Sequence, residues 1–311
     1  MKKKIDIVCP FFNESENIKL FFERIFKTLK NLKDYQFNLI CIDDGSNDDT
    51  YQKLRLTRSI HNNIKLRITR FSRNFGKESV LKYGVDRFDQ SDAIIFIDTD
   101  LQDPPELIPA LIRKWEKSNL HVVACRNNRN YENSLMSIFA RFFYIIFNNL
   151  AGLKLSPLHG DYRLIDKNIV FHIKKLNENQ IFMKGIFYWV GFDLSFVEYE
   201  RSKRINGVSN FPLKSLIKYA LNSIMSFSIK PLRIILLLGS LLLLFSLIFI
   251  IYIIYRYFSF GIEAPGYYSI ITSILLFGGF NFIALGLIGE YIGRIYDEVK
   301  RRPLYIVESE L

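Results

Sequence analysis

Three acids close the stretch DAIIFIDTDLQDPPE: Asp98, Asp100 and Asp103 follow a run of strand-forming Ile and Phe and precede two prolines. Carboxylates at alternate positions repel one another, so a cation between Asp98 and Asp100 would justify them. If the strand continues, both side chains project to one side, because strand side chains alternate with period two. Two such carboxylates make a hard-oxygen seat for Mg²⁺ or Mn²⁺, an ion that typically bridges protein to substrate phosphates. A lone Asp-x-Asp is common in surface loops. Here two further strand candidates also end in polar clusters, CPFFNESEN and IDDGSNDDT.

The elements that must position these clusters follow from periodicity. Strand candidates are KIDIVCPF, FNLICIDD, IKLRITRF, DAIIFIDTD and HVVACRN. Between them lie helical patterns: SENIKLFFERIFKTLKNL, with Ser15 as its expected cap, and PPELIPALIRKWEK, with Leu107, Ile108, Leu111, Ile112 and Trp115 on one face. Near-continuously apolar strands alternating with helices predict an α/β fold with a parallel sheet covered on both faces. Ligands of such sheets bind at the carboxyl ends of the strands, where all three clusters fall.

The 311 residues divide unevenly. Before about residue 230 the chain mixes charge and apolar runs. Beyond it lie two apolar blocks, Ile234 to Tyr255 and Tyr268 to Gly289, neither holding Lys, Arg, Asp or Glu. About 20 apolar residues suffice to cross a bilayer's hydrocarbon. Arg201, Lys203, Arg204, Lys214, Lys218, Lys230 and Arg233 precede the first block, and Arg294, Lys300, Arg301 and Arg302 follow the second. The connecting loop holds only Arg256 and Glu263. By the positive-inside rule both termini are expected in the cytoplasm, on a multi-pass protein of the inner membrane. MKKKIDIVCPFF runs directly into a strand pattern, so no signal peptide is read and the first two-thirds is expected to stay where it is made.

The net charge of +11 concentrates beside the apolar blocks, where each cation gains about 1 kcal/mol near anionic lipid. No nucleic-acid motif is present, and no nucleic-acid partner is expected. Cys9, Cys41 and Cys125 each sit in an apolar run and read as small hydrophobes of a reducing compartment. The segment FPLKSLIKYALNSIMSFSIKPLR has the pattern of an amphipathic interfacial helix. Expected boundaries are 1–210 for the soluble domain, 211–231 for the interfacial helix, 232–290 for a membrane hairpin and 291–311 for a cytoplasmic tail.

Taken together, CPFFNESENI, IDDGSNDDT, SRNFGKESVLKYGVD, IDTDLQDPPEL, GDYRLID, FMKGIFYWVGF, ERSKRINGVSNF and GEYIGRIYDEVKRRPLYIV resemble the polyprenyl-phosphate glycosyltransferases of glycosyltransferase family two. The resemblance runs almost end to end and implies a Rossmann-like domain of GT-A type. It implies inverting transfer of a sugar from a nucleotide donor, UDP-glucose first, to undecaprenyl or another polyprenyl phosphate, for cell-envelope glycan modification. UDP-galactose, a UDP-N-acetylhexosamine and GDP-mannose are alternative donors.

The resemblance also implies roles. Pro10, Phe12, Glu14 and Asp44 line the nucleotide, with Lys77 meeting a phosphate. Asp98, which also faces the nucleotide, holds a metal with Asp100 and Gln102. Asp161 stands where the family places a candidate base, although an acceptor phosphate with a second pKa near 6 has little need of one. A salt bridge from Asp161 to Arg163 is the plainer alternative. Arg126, Arg141, Arg201 and Arg204, with Ser209 as donor, are the acceptor-phosphate candidates. Asp103 reads as a helix cap, Asp43 as support for its turn, and His159 as touching the sugar or capping a turn. Gly286, Gly289 and Gly293 allow close helix packing within the chain or in a homo-oligomer. Two rivals are a processive polysaccharide synthase and a non-catalytic nucleotide-binding scaffold. The first needs more spans and a Gln-x-x-Arg-Trp motif that neither Trp115 nor Trp189 provides. The second leaves Asp98, Asp100 and Asp161 without a purpose.

Overall fold

The computed structural model describes residues 2–58, 61–127, 135–156, 158–179, 181–200, 224–260 and 266–311. They form two compact units, Met1–Ser223 with Arg302–Leu311, and Ile224–Arg301. In the first unit, strands β1 (Lys3–Phe11), β2 (Tyr35–Asp43), β3 (Ile64–Phe71), β4 (Ala93–Phe96), β5 (His121–Arg126), β6 (His159–Asp166), β7 (Leu194–Tyr199) and β8 (Val307–Glu310) build one sheet. Its spatial order is β7-β5-β6-β4-β1-β2-β3-β8. Helices α1 (Ile18–Leu29), α2 (Thr50–Leu56), α3 (Lys77–Arg87), α4 (Ile108–Trp115), α5 (Leu135–Ala151), α6 (Lys167–Lys174) and α7 (Met183–Trp189) complete the unit's described elements.

The five expected strands form and run the same way, but the sheet is mixed where an all-parallel one was predicted. Strand β6 inserts antiparallel between β4 and β5, pairing Phe96 with Arg163 and Cys125 with His159. HGDYRLID lacks an alternating pattern because its second half is buried on both faces of the sheet. Strand β8 adds antiparallel to the β3 edge. There Tyr305 stacks on Phe71 with centroids 5.3 Å apart and planes at 6°, and its hydroxyl donates to Asp86 at 3.0 Å.

One sheet face carries Ile5, Ile7, Cys9, Phe37, Leu39 and Cys41 into a core with Phe21 and Ile25 of α1 and Leu111, Ile112 and Trp115 of α4. The predicted apolar face of α4 is the buried one, with Leu107, just before the helix, partly buried beside it. Fully burying a side chain of this size contributes about 1.5–3 kcal/mol. Helix α1 starts later than its pattern suggested: Asn17 is the cap position, and Ser15 instead donates its backbone N–H to Asp48. On the other face α3 lies so close to β1 that a Cβ on Gly84 would stand 2.5 Å from Val8.

The second unit holds α8 (Lys230–Phe260) and α9 (Tyr267–Lys300). Both are long and apolar enough to cross a membrane, over Lys230–Phe249 and Leu276–Lys300, and neither stretch is buried. Most of the expected interfacial helix, residues 211–231, lies outside the described residues.

Candidate active site

The loops after β1, β2, β3 and β4 meet at one edge of the sheet, and because β6 is antiparallel its first residues arrive at the same edge. The turn after β2 is built around Gly45, whose φ of +67° and position 2.4 Å (for a hypothetical Cβ) from the Arg73 carbonyl carbon admit no other residue without strain. Asp43, fully buried, accepts from the Ser46 N–H at 3.2 Å and pairs with Arg70 at 3.4 Å. It supports the turn, as its sequence position suggested. Asp44 accepts from the backbone N–H groups of Phe75 and Gly76 at 2.8 and 2.9 Å and so ties this turn to the start of α3. Burial raises its pKa to about 6, against the lowering by those two donors.

Helix α3 opens at Gly76, with φ of +91°, and Lys77 is its first residue. The Lys77 ammonium bridges two acids from distant strands: it lies 2.7 Å from Asp98 Oδ1 and 2.6 Å from Asp161 Oδ2. All three side chains are part-exposed, at 39%, 29% and 27%, so solvent and a ligand can reach the cluster. Burial raises Asp98 to about 6, opposed by Lys77 and reinforced by the charges of Asp161 and Asp103. Asp161 goes the other way. Burial pushes it up, but Lys77, Arg163 and Lys184 together hold it well below the usual carboxylate range. Its ion pair is with Lys77; Arg163 instead donates to the Gly160 carbonyl at 2.6 Å and lies 4.4 Å over the Phe187 ring.

The premise for Asp98 and Asp100 facing one way is not met as stated. Strand β4 ends at Phe96, and Leu101 turns the chain with φ of +62°. Pleat alternation therefore does not orient them. Asp100 accepts from the Gln102 N–H at 3.1 Å, closing a short loop that brings Gln102 back toward it. Asp103 is not a helix cap: the short helix beginning at Pro105 has no side-chain cap. It is buried and accepts from the Tyr199 hydroxyl, and Arg126 stands 3.6 Å away and donates to Tyr199 at 3.2 Å. Arg126, an acceptor-phosphate candidate, is thus held at the site's edge by β7 and the loop after β4.

Among the remaining candidates, Pro10 is the penultimate residue of β1, its carbonyl accepting from Thr99 at 2.7 Å. Phe12 is exposed just beyond it, and Glu14 accepts from Asn17. The side chain of Arg141, on α5, and Arg201, Arg204 and Ser209 lie outside the described residues. His159 lies near the rings of Phe196 and Tyr188, with centroids 4.5 and 6.1 Å away, and bonds the Tyr188 hydroxyl. Burial, with Lys184 and Arg163, lowers it to about 4, so it is neutral at pH 7.

Sequence reasoning did not single out Lys184 or Tyr199. Lys184 donates to Tyr144 at 2.6 Å, and burial, with repulsion from Arg163, Arg126 and Lys77, lowers it to about 8 against the pull of Asp161. A single cation within the apolar run FMKGIFYW was the available signal.

Among the described residues no group of three or more His, Cys, Asp or Glu is placed to hold a metal unaided. Asp98, Asp100 and Gln102 lie in the loop after β4, and their side chains carry oxygen donors of the kind Mg²⁺ or Mn²⁺ takes alongside phosphate and water. The Lys77 ammonium already places one cation against Asp98.

A mixed α/β domain with acids and a bridging lysine at its strand ends, followed by an apolar two-helix hairpin, defines a sugar-transferring class of protein once set beside known sequences. The model described as glycosyl transferase family 2 matches residues 6–173, and the GtrB C-terminal hairpin matches residues 230–295. The chain belongs to glycosyltransferase family 2 and is an enzyme of that class. It is 41% identical over 99% of its length, and 96% of the relative's, to an uncharacterized glycosyltransferase of Synechocystis. It is 40% identical, over 98% of both chains, to the prophage-derived bactoprenol glucosyl transferase of Shigella flexneri. To a putative glycosyltransferase of Bacillus subtilis it is 38% identical, over 98% of this chain and 91% of the relative.

Proposed function

We propose that the protein transfers glucose, with inversion, from UDP-glucose to the phosphate of a membrane polyprenol such as bactoprenol. The relatives' printed names support the sugar and the lipid. The observation that carries the reaction type is the Asp98–Lys77–Asp161 bridge at the strand ends. In the transfer, an acceptor phosphate oxygen forms a bond to the anomeric carbon as the bond from that carbon to the donor's diphosphate breaks. The electron pair leaves on the diphosphate.

The acceptor needs little help in losing a proton, since a phosphate monoester is largely dianionic above pH 6. Asp161 agrees with that: held ionised by Lys77, it is a poor base and a good orienting group. Lys77 supplies a point charge that a diphosphate oxygen could share with the two acids. Asp98, Asp100 and Gln102 would hold Mg²⁺ or Mn²⁺, which when bound offsets charge on the leaving group. Arg126 and Lys184 are the described cations for the acceptor phosphate, with Arg141, Arg201, Arg204 and Ser209 as further candidates.

The hairpin anchors the chain in the lipid to which the acceptor is confined. Chain before and after the hairpin belongs to one folded unit, which supports both ends lying on one side, the cytoplasmic side by the flanking charge. Self-association through α9 belongs to the same proposal: a Cβ added at Gly286, Gly289 or Gly293 meets nothing within 4 Å among the described residues.

The test is purified protein in detergent with polyprenyl phosphate, Mg²⁺ and a panel of UDP- and GDP-sugars, the product identified by mass spectrometry. One hexosyl phosphate lipid, from UDP-glucose, is expected. A growing polymer, or no glycolipid from any donor, overturns the reading. Chelation with EDTA is expected to abolish turnover and added Mg²⁺ or Mn²⁺ to restore it; full activity in EDTA removes the metal.

A further inference from the structure

The last strand of the chain reaches the turn that the donor would meet. Arg70, on β3, lies between two carboxylates: its Nε is 3.4 Å from Asp43 and 3.2 Å from Glu308 of β8. The guanidinium also sits 4.7 Å over the Tyr51 ring, and the Tyr51 hydroxyl bonds Ser309 at 2.6 Å. Glu308 and Ser309 therefore fix where Arg70 can stand, one by charge and one through a ring. Backbone pairing of Thr69 with Glu310 and Arg70 with Ser309 holds the strand in register.

From Arg70 the connection continues inward. Asp43 is fully buried and holds the Ser46 N–H. Ser46 accepts from the Asn13 N–H at 2.9 Å, and Asn13 accepts from the Asn47 N–H at 3.0 Å, so the loops after β1 and β2 are laced together. The neighbouring Asp44 holds the Gly76 N–H, one residue before Lys77. A buried carboxylate needs its partner: with Arg70 displaced, Asp43 faces burial without a cation, and the turn is the part free to move.

We infer that β8 is a positioning strand for the donor, with Glu308 and Arg70 as positioning residues that set the turn at residues 43–46 for nucleotide binding. The inference rests on the reading of that turn as the donor side of the site. Glu308 touches no substrate; it acts through Arg70 and Asp43. Only residues 301–306 separate the end of α9 from β8, so the segment leaving the apolar hairpin also trims the donor site.

The experiment uses the full chain in detergent, with UDP as the calorimetric probe and steady-state kinetics alongside. Glu308→Gln is expected to weaken UDP about threefold to tenfold, within the range for residues along such networks. The donor KM should rise by the same factor, with kcat and the acceptor KM unchanged, and Glu308→Asp should recover most of the loss. The control is Glu310→Gln, which removes an exposed pair with Arg87 at 2.7 Å on the same strand. It should leave UDP binding at the wild-type value. Unchanged UDP affinity in Glu308→Gln overturns the inference alone, as does an equal loss in Glu310→Gln, which would make β8 a stabilising strand only. Wild-type protein that binds neither UDP nor GDP overturns the donor-site reading and the inference with it.

Discussion

The two ends of the sheet handle charge in opposite ways. At the carboxyl ends of β1, β2 and β4, acids are met by ions and backbone donors brought from afar: Lys77 and Asp161 are 84 residues apart. At the amino ends a cleft of about 530 Å³ is lined by Lys4, Asp6, Gln36, Asn38, Lys65 and Arg67 among others. There the buried Asp6 is satisfied by neutral neighbours, Ser91 at 2.5 Å and Asn38 at 2.7 Å. One end holds charges against each other in reach of solvent, where an arriving diphosphate can exchange partners. The other is a hollow whose buried acid is already satisfied by hydroxyl and amide. The cleft lies away from the family's motif residues, and the pattern of charge pairing picks them out.

The sharpest way to break the comparison is substitution at each end. Asp98→Asn is expected to lower kcat by about two to three powers of ten, the usual effect of losing one electrostatic contact to a transition state. Its melting temperature should stay near wild type; near-normal turnover would remove the carboxyl edge from catalysis. Gly45→Ala comes next. The positive φ and the overlap with Arg73 should cost about 1–3 kcal/mol, seen as a lower thermal midpoint, and activity should fall as the turn shifts.

A pH series sharpens the contrast. Asp98 has its pKa raised to about 6 from 3.8, so the native state takes up this proton before the unfolded chain does. As pH falls through about 6, kcat/KM should fall because the ionised form is lost. The same protonation favours the folded state between about 6 and 3.8, so activity is expected to drop in a window where stability does not follow it down on this group's account. Parallel loss of both would assign the titration elsewhere. His159 has the opposite sign: lowered to about 4 from 6.5, it contributes stability that is lost as pH falls from 6.5 toward 4, and His159→Phe should flatten that slope. The smallest effect is expected at the amino end. Asp6→Asn, which keeps a side chain able to accept from Ser91, should change stability by about 1 kcal/mol or less and leave turnover unaltered.

Much of the site was legible because it rests on local pattern. The acids at strand ends and the apolar face of α4 declare themselves within a few residues. Where reading failed, the cause was a partner far along the chain. Asp103 sits where a cap would sit, yet Tyr199 on β7 claims it. Lys77 reads as a free phosphate ligand until Asp98 and Asp161 are seen to flank it. Lys184 was hidden in an apolar run.

By itself the sequence determined the alternation of strands and helices, the acids at the strand ends, and two apolar helices long enough for a bilayer, since each is a matter of short-range periodicity and composition. Only the tertiary structure decided that β6 runs antiparallel through the middle of the sheet, that β8 returns to its edge beside Arg70, and that one lysine is shared by two carboxylates. Strand order and ion pairing join residues scores of positions apart, and no local period records which distant segment will pack alongside.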